Sequence, residues 1–60
     1  MHIRELRSIT GLSQSKFAAL FEIPLKTLQQ WEQEVRTPPG YVIHMIKEIL
    51  LNKGFPVPNN

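Results

Sequence analysis

The sequence contains no cysteine. That absence excludes a disulfide staple, a thiol nucleophile and a cysteine-ligated zinc, so packed secondary structure must stabilise the chain, with or without a second copy. Long apolar runs are missing too, and Met1-His2-Ile3-Arg4-Glu5 lacks the apolar stretch of a signal peptide, so the expectation is a soluble, cytoplasmic protein with no membrane segment. A strong charge of either sign is also lacking. Seven Lys and Arg against five Asp and Glu leave a formal net charge of +2, which permits an anionic partner without demanding one. The two histidines, His2 and His44, stand in different segments, and no Ser/His/acid constellation or glycine-rich phosphate loop is present. Catalysis, a bound metal and a cofactor are therefore not expected. Sixty residues leave room for one domain, near the lower limit at which an apolar core alone supports folding.

What is present is helical periodicity broken at short intervals. Ile3, Leu6 and Ile9 recur at helical spacing, and Gly11 suits the left-handed conformation that closes a helix. Ser13 is a favoured N-cap for a second helix over 14–21, with Phe17, Ala18, Leu20 and Phe21 as its apolar side. Pro24 pushes Ile23 out of helical angles and suits the first position of a third helix, 25–33. At about 100° per residue, Leu28, Trp31 and Val35 share one side of it and Lys26, Gln29, Gln30 and Gln33 the other. Thr37-Pro38-Pro39-Gly40 is a turn, after which a fourth, unusually apolar helix runs over 41–51. Phe55 to Asn60 reads as an extended tail. The organisation is thus one all-α domain over 1–52, with a short tail over 53–60.

The stretch Leu12 to Val42 carries a recognisable pattern. Leu12-Ser13-Gln14, Ala18, Ile23, Thr27-Leu28, Trp31-Glu32 and Pro38 follow one another in the order and spacing of the XRE-type helix-turn-helix. With the preceding Ile3-Arg4-Glu5-Leu6-Arg7 included, most of the chain resembles the DNA-binding domain of the Cro and lambda-repressor family. The resemblance implies a lambda-repressor-like bundle of four to five helices, with its helix-turn-helix at about 14–33. It further implies sequence-specific binding of double-stranded DNA by a small transcriptional regulator, most simply a repressor.

Lys26, Gln29 and Gln30 have the chemistry to read base edges, since glutamine pairs bidentately with adenine and lysine donates to guanine O6 and N7. The resemblance places base contacts at Leu25, Lys26 and Gln30, with Leu25 suited to a thymine methyl. It also assigns Gln14 a double role, contacting phosphate and bracing the recognition helix. By position and chemistry Ser15, Lys16, Thr27 and Arg36 suit backbone contacts, while Arg4 and Arg7 read as solvated surface charges. Trp31 reads as a core anchor rather than a base-stacking group. Two acids depart from the family pattern, because Glu22 and Glu34 stand where glycine is common. A non-glycine residue in a left-handed turn costs roughly 1 kcal/mol, and both acids lie near the expected DNA-facing surface.

The family's fifth helix is missing or reduced to the tail, which leaves the fourth helix less covered. Tyr41, Ile43, Met45 and Leu51 spread over a wider arc than one packing face needs, and so suit the interface of a homodimer or of another partner. A symmetric dimer implies a partly palindromic operator with half-sites about 10 bp apart. The chain is also similar to antitoxins of the HigA class, which implies a second reading. On that reading it neutralises a toxin protein and autoregulates its operon, or is a helix-turn-helix domain that has lost DNA binding and keeps a protein-interaction role.

Overall fold

The computed structural model describes residues 2–58 of the chain. Four helices follow one another, α1 (Ile3–Thr10), α2 (Gln14–Leu20), α3 (Leu25–Glu32) and α4 (Gly40–Asn52), and no strand occurs among the described residues. The all-α expectation holds, with each helix end within one residue of its expected place. None of the four helices is long and apolar enough to cross a membrane.

Local chemistry accounts for the starts. His2 precedes α1 in extended conformation and closes a capping box: its Nδ1 accepts from the Arg4 amide at 3.0 Å, and its own amide donates to Glu5 Oε1 at 3.0 Å. Two of the free amides of the first turn are thereby satisfied. Ser13 caps α2 as expected, its Oγ accepting from the Lys16 amide at 3.2 Å. Pro24 and Pro39 precede α3 and α4 with φ near −57° and extended ψ, so each brings the chain into a helix without a side-chain cap.

Three of the four helices stop in the same way. After α2, the Glu22 amide donates to Ala19 O and the Ile23 amide to Ala18 O; after α3, Glu34 donates to Trp31 O and Val35 to Gln30 O; after α4, Gly54 donates to Leu51 O and Phe55 to Leu50 O. These are paired Schellman bonds, and each requires a left-handed residue at its bend. That residue is Glu22 at φ 56°, Glu34 at φ 61° and Gly54 at φ 89°. The apolar residue that follows is Ile23, Val35 or Phe55. Ile23 and Phe55 pack against the core, whereas Val35 is 66% exposed. The expectation that Val35 shares the apolar side of α3 with Leu28 and Trp31 is therefore corrected. The left-handed turn at Glu34 ends the helix first and carries Val35 away from the core.

The core gathers Ile3 and Leu6 of α1, Phe17 and Ala18 of α2, Leu28 of α3, Ile46 and Leu50 of α4, and Val57. α2 packs on α3, and α1 bridges α3 and α4. Ala18 is small and buried where α2 meets α3, which lets the two helices approach closely. Phe17 stacks obliquely on Phe21, with ring centroids 4.8 Å apart. Trp31 packs against the same cluster and keeps only partial exposure, as a core anchor should. The extended tail packs onto the bundle: Phe55 lies against the core and Val57 joins it, and the Val57 amide donates to Phe55 O at 2.9 Å around Pro56. Asn59 and Asn60 lie outside the described residues.

These left-handed positions separate backbone strain from packing. Gly11 has φ 72°, and a Cβ there would meet nothing within 4 Å. Gly11→Ala should therefore destabilise by about 1 kcal/mol through conformation alone, while Glu22→Gly and Glu34→Gly should each stabilise by up to about 1 kcal/mol. Urea unfolding of the three variants checks both signs; a neutral Gly11→Ala would show that the left-handed turn is not retained in solution.

Candidate nucleic-acid interface

α3 is divided lengthwise by its own sequence. At 100° per residue Lys26, Gln29, Gln30 and Gln33 span an arc of about 100°, centred nearly opposite Leu28. Leu28 is fully buried, whereas Lys26 and Gln33 are exposed and Gln29 and Gln30 half-buried. The structure thus brings Lys26, Gln29 and Gln30 onto one outward polar strip and adds Gln33, which belongs with them by position. Leu25 sits exposed at the head of the strip.

The opposite side of α3 is held by an ion pair. Glu32 is 5% exposed, and its carboxylate takes a two-pronged contact from Arg7, Nε to Oε2 at 2.7 Å and Nη2 to Oε1 at 2.9 Å. Arg7 also donates through Nη1 to Leu12 O at 3.2 Å, and Gln14 donates through Nε2 to Glu32 Oε1 at 3.2 Å. Arg4 completes the arrangement by donating through Nη2 to the Glu32 carbonyl at 2.9 Å, satisfying an oxygen that the end of the helix leaves open. α1 and the first turn of α2 therefore converge on Glu32 in the last turn of α3, and Arg7 ties in the α1–α2 connection through Leu12.

This arrangement corrects the reading of Arg7 as a solvated charge, whereas Arg4 stays exposed and gives a hydrogen bond to the Glu32 carbonyl. Arg7 is committed to Glu32, because a carboxylate placed on the apolar side of a helix must find a charged partner or lose its ionisation. The signal was in the sequence: Glu32 follows Leu28 by four, and Arg7 follows Ile3 by four, so each charge lies one turn beyond a core residue. The guanidinium of Arg7 holds the Glu32 carboxyl below its ordinary range against the opposing effect of burial, with the Gln14 amide adding to the depression. Arg7 is correspondingly raised, chiefly by its hydrogen bonds to Glu32.

The other positions fall into two groups. Ser15 and Lys16 are exposed on the first turn of α2, beside the last turn of α3, because Gln14 ties the two together. Arg4, Gln14, Glu32 and Gln33 line a polar hollow between them. Arg36 is exposed just beyond α3, its amide donating to Gln30 O at 3.3 Å. Thr27, by contrast, faces the side of α3 towards α4, where it lines an apolar groove with Trp31, Val42 and Met45. Glu34 projects into solvent at the end of α3 with Oε1 3.9 Å from His2 Nε2, and Glu22 is exposed at its start. The polar strip is thus flanked by cations at Lys16 and Arg36 and by an acid at either end.

The partner positions on α4 separate as well. Tyr41, Met45 and Leu51 are exposed, whereas Ile43 is half-buried against the core. Leu51 lies at least 80° around the helix from Tyr41 and Met45, so the expected four do not form one face. Ile49, one turn after Met45, takes the vacant place. Comparison with protein-family models, curated proteins and solved structures finds no match for this chain.

The depressed Glu32 carboxyl links folding to pH. Its stabilisation is fully present above the ordinary carboxylate range and declines as the pH falls below it, because the unfolded chain takes up the proton first. Thermal melts should show stability falling with acid through that window. Glu32→Ala should flatten the acid dependence and cost about 3–5 kcal/mol, the consequence of leaving a partly buried Arg7 unpaired. That is comparable to the whole stability a core of this size supplies. An unchanged acid profile in Glu32→Gln would remove the pair from its place as the principal acid-labile contact.

Proposed function

We propose that the chain binds double-stranded DNA sequence-specifically through α3, as a small transcriptional regulator of the lambda-repressor-like XRE type. On this reading α2 and α3 act as a helix-turn-helix. The observation that carries it is the division of α3, anchored by Leu28, Trp31 and Glu32 on one side and polar on the other, with Lys26 and Gln33 exposed and Gln29 and Gln30 half-buried. A helix that reads base edges must enter a major groove about 12 Å wide while its orientation stays fixed by the protein behind it. Here the clamp from Arg4, Arg7 and Gln14 grips the last turn, and the core grips the middle.

The residues divide by role. Gln29 and Gln30 supply paired donor and acceptor groups suited to adenine, Lys26 a donor suited to guanine, and Leu25 an apolar contact to a thymine methyl. Ser15, Lys16 and Arg36 approach phosphates on either side of the groove, with Gln14 bracing α3 through Glu32. Thr27 drops out of the contact set on this reading, since it faces the groove against α4. The net charge of +2 and the two flanking acids limit the non-specific attraction, so base contacts must supply much of the affinity.

Selection of bound duplexes from a random pool, followed by titration at several salt concentrations, tests this directly. Lys26→Ala and Gln30→Ala should each weaken binding to the selected site by about 1–3 kcal/mol and relax preference at particular base pairs. Lys16→Ala should weaken all sequences alike and reduce the salt slope by about 1. No enrichment of any sequence at low salt, with the protein shown folded, would defeat the proposal.

A further inference from the structure

Between the α2–α3 turn and α4 lies a groove of about 270 Å³, lined by Phe21, Ile23 and Pro24 at the turn, by Trp31 of α3, and by Met45 and Ile49 of α4. Its lining is apolar but for two side chains, Glu22 and Thr27. Neither the Glu22 carboxylate nor the Thr27 hydroxyl has a hydrogen-bond or ion partner among the described residues. Glu22 also occupies a left-handed bend at φ 56°, where the turn gains nothing from a carboxylate. An apolar hollow with a few unengaged polar groups is the ordinary form of a small-molecule site: the apolar lining supplies affinity and the polar groups fix orientation.

We infer that this groove binds a small organic cation, an ammonium group carried on a compact apolar body of about one ring. The sign of the ligand follows from the lining. Glu22 is the one ionisable side chain on the groove among the described residues, and no lysine, arginine or histidine stands there to neutralise it or to receive an anion. An ammonium group has donors and no acceptor, which matches a carboxylate and a hydroxyl oxygen that are both free to accept. Phe21 and Trp31 add aromatic rings, and a cation is drawn to a ring face as well.

The size of the ligand follows from the volume. Pockets for drug-sized molecules begin at about 300 Å³, so this groove suits a body of one ring and is too small for a polycyclic one. Met45 on its lining is 53% exposed and Glu22 stands in solvent, so the groove is open and the charge contact is screened. Affinity is therefore modest. Thr27 and Trp31 belong to α3, so an occupant touches the helix whose outer strip carries the DNA reading. The inference does not rest on that reading, because the groove and its two polar groups are there whatever α3 contacts on its other side.

Trp31 is the only tryptophan of the chain, so its fluorescence reports on the groove. At neutral pH and constant ionic strength, phenethylamine should change the emission saturably. It should bind at least about fivefold more tightly than phenethyl alcohol or hydrocinnamate, which keep the ring and replace the cation by a neutral group or an anion. Glu22→Gln removes the charge at nearly constant size and should bring the amine down to the affinity of the alcohol. Met45→Lys, at an exposed position of the same lining, should weaken the amine further by placing a like charge beside it. Glu34→Gln, which removes an acid in the same left-handed conformation away from the groove, should leave all three ligands unchanged. Circular dichroism confirms that each variant is folded. No saturable change with any of the three ligands overturns the site; equal binding of amine and alcohol, or a preference for the amine that survives Glu22→Gln, overturns the assignment of a cation to it.

Discussion

The pairing of Arg7 with Glu32 is the constraint on which the remaining arrangement turns. A carboxylate that is 5% exposed cannot remain ionised alone, so the position of α3 is tied to wherever its cationic partner stands. That partner is on α1, and it also grips Leu12 in the connection between α1 and α2. With Gln14 on the same carboxylate, one side chain of α3 is bound from both α1 and α2. The apolar core fixes how closely the helices approach, since Ala18, Leu28 and Phe17 pack without direction. The ion pair, which tolerates little displacement, fixes how α3 is turned about its own axis.

That rotation decides what the outward side of α3 presents. Lys26, Gln29, Gln30 and Gln33 point away from the bundle because Leu28 and Glu32 point into it, and the two sets alternate at helical spacing along eight residues. A rigid polar strip is the requirement for reading a surface by hydrogen bonds, because each contact is worth its full energy only when no ordering remains to be done. The strip depends on the clamp behind it more than on any residue within it.

Much of this was legible in the sequence. The four helices, their breaks at Gly11, Pro24 and Pro38-Pro39, the Ser13 cap and the division of α3 all follow from periodicity and local chemistry. Three features were not. The ion pair joins residues 25 positions apart, and sequence spacing shows that a buried charge needs a partner without naming it. Val35 continues the helical period in sequence, but the left-handed turn at Glu34 intervenes, and a glutamate does not advertise such a turn as a glycine would. The tail offers too few residues for a periodicity, so the burial of Val57 could be found only from the space that α1 and α4 leave. The exposed stripe of α4 was half visible: its apolar excess was plain, but sorting Ile43 inward and Ile49 outward required the position of the core.

The helix ends closed by paired backbone bonds bear on how such a surface could change. At Glu22 and Glu34 the main chain alone makes the corner, and the side chain contributes nothing to the turn except a conformational cost of about 1 kcal/mol. Both side chains stand in solvent at the two ends of the polar strip. The charge beside that strip can therefore be altered by replacement at two positions without moving α3, so the scaffold keeps its shape while its electrostatic selectivity remains free to vary.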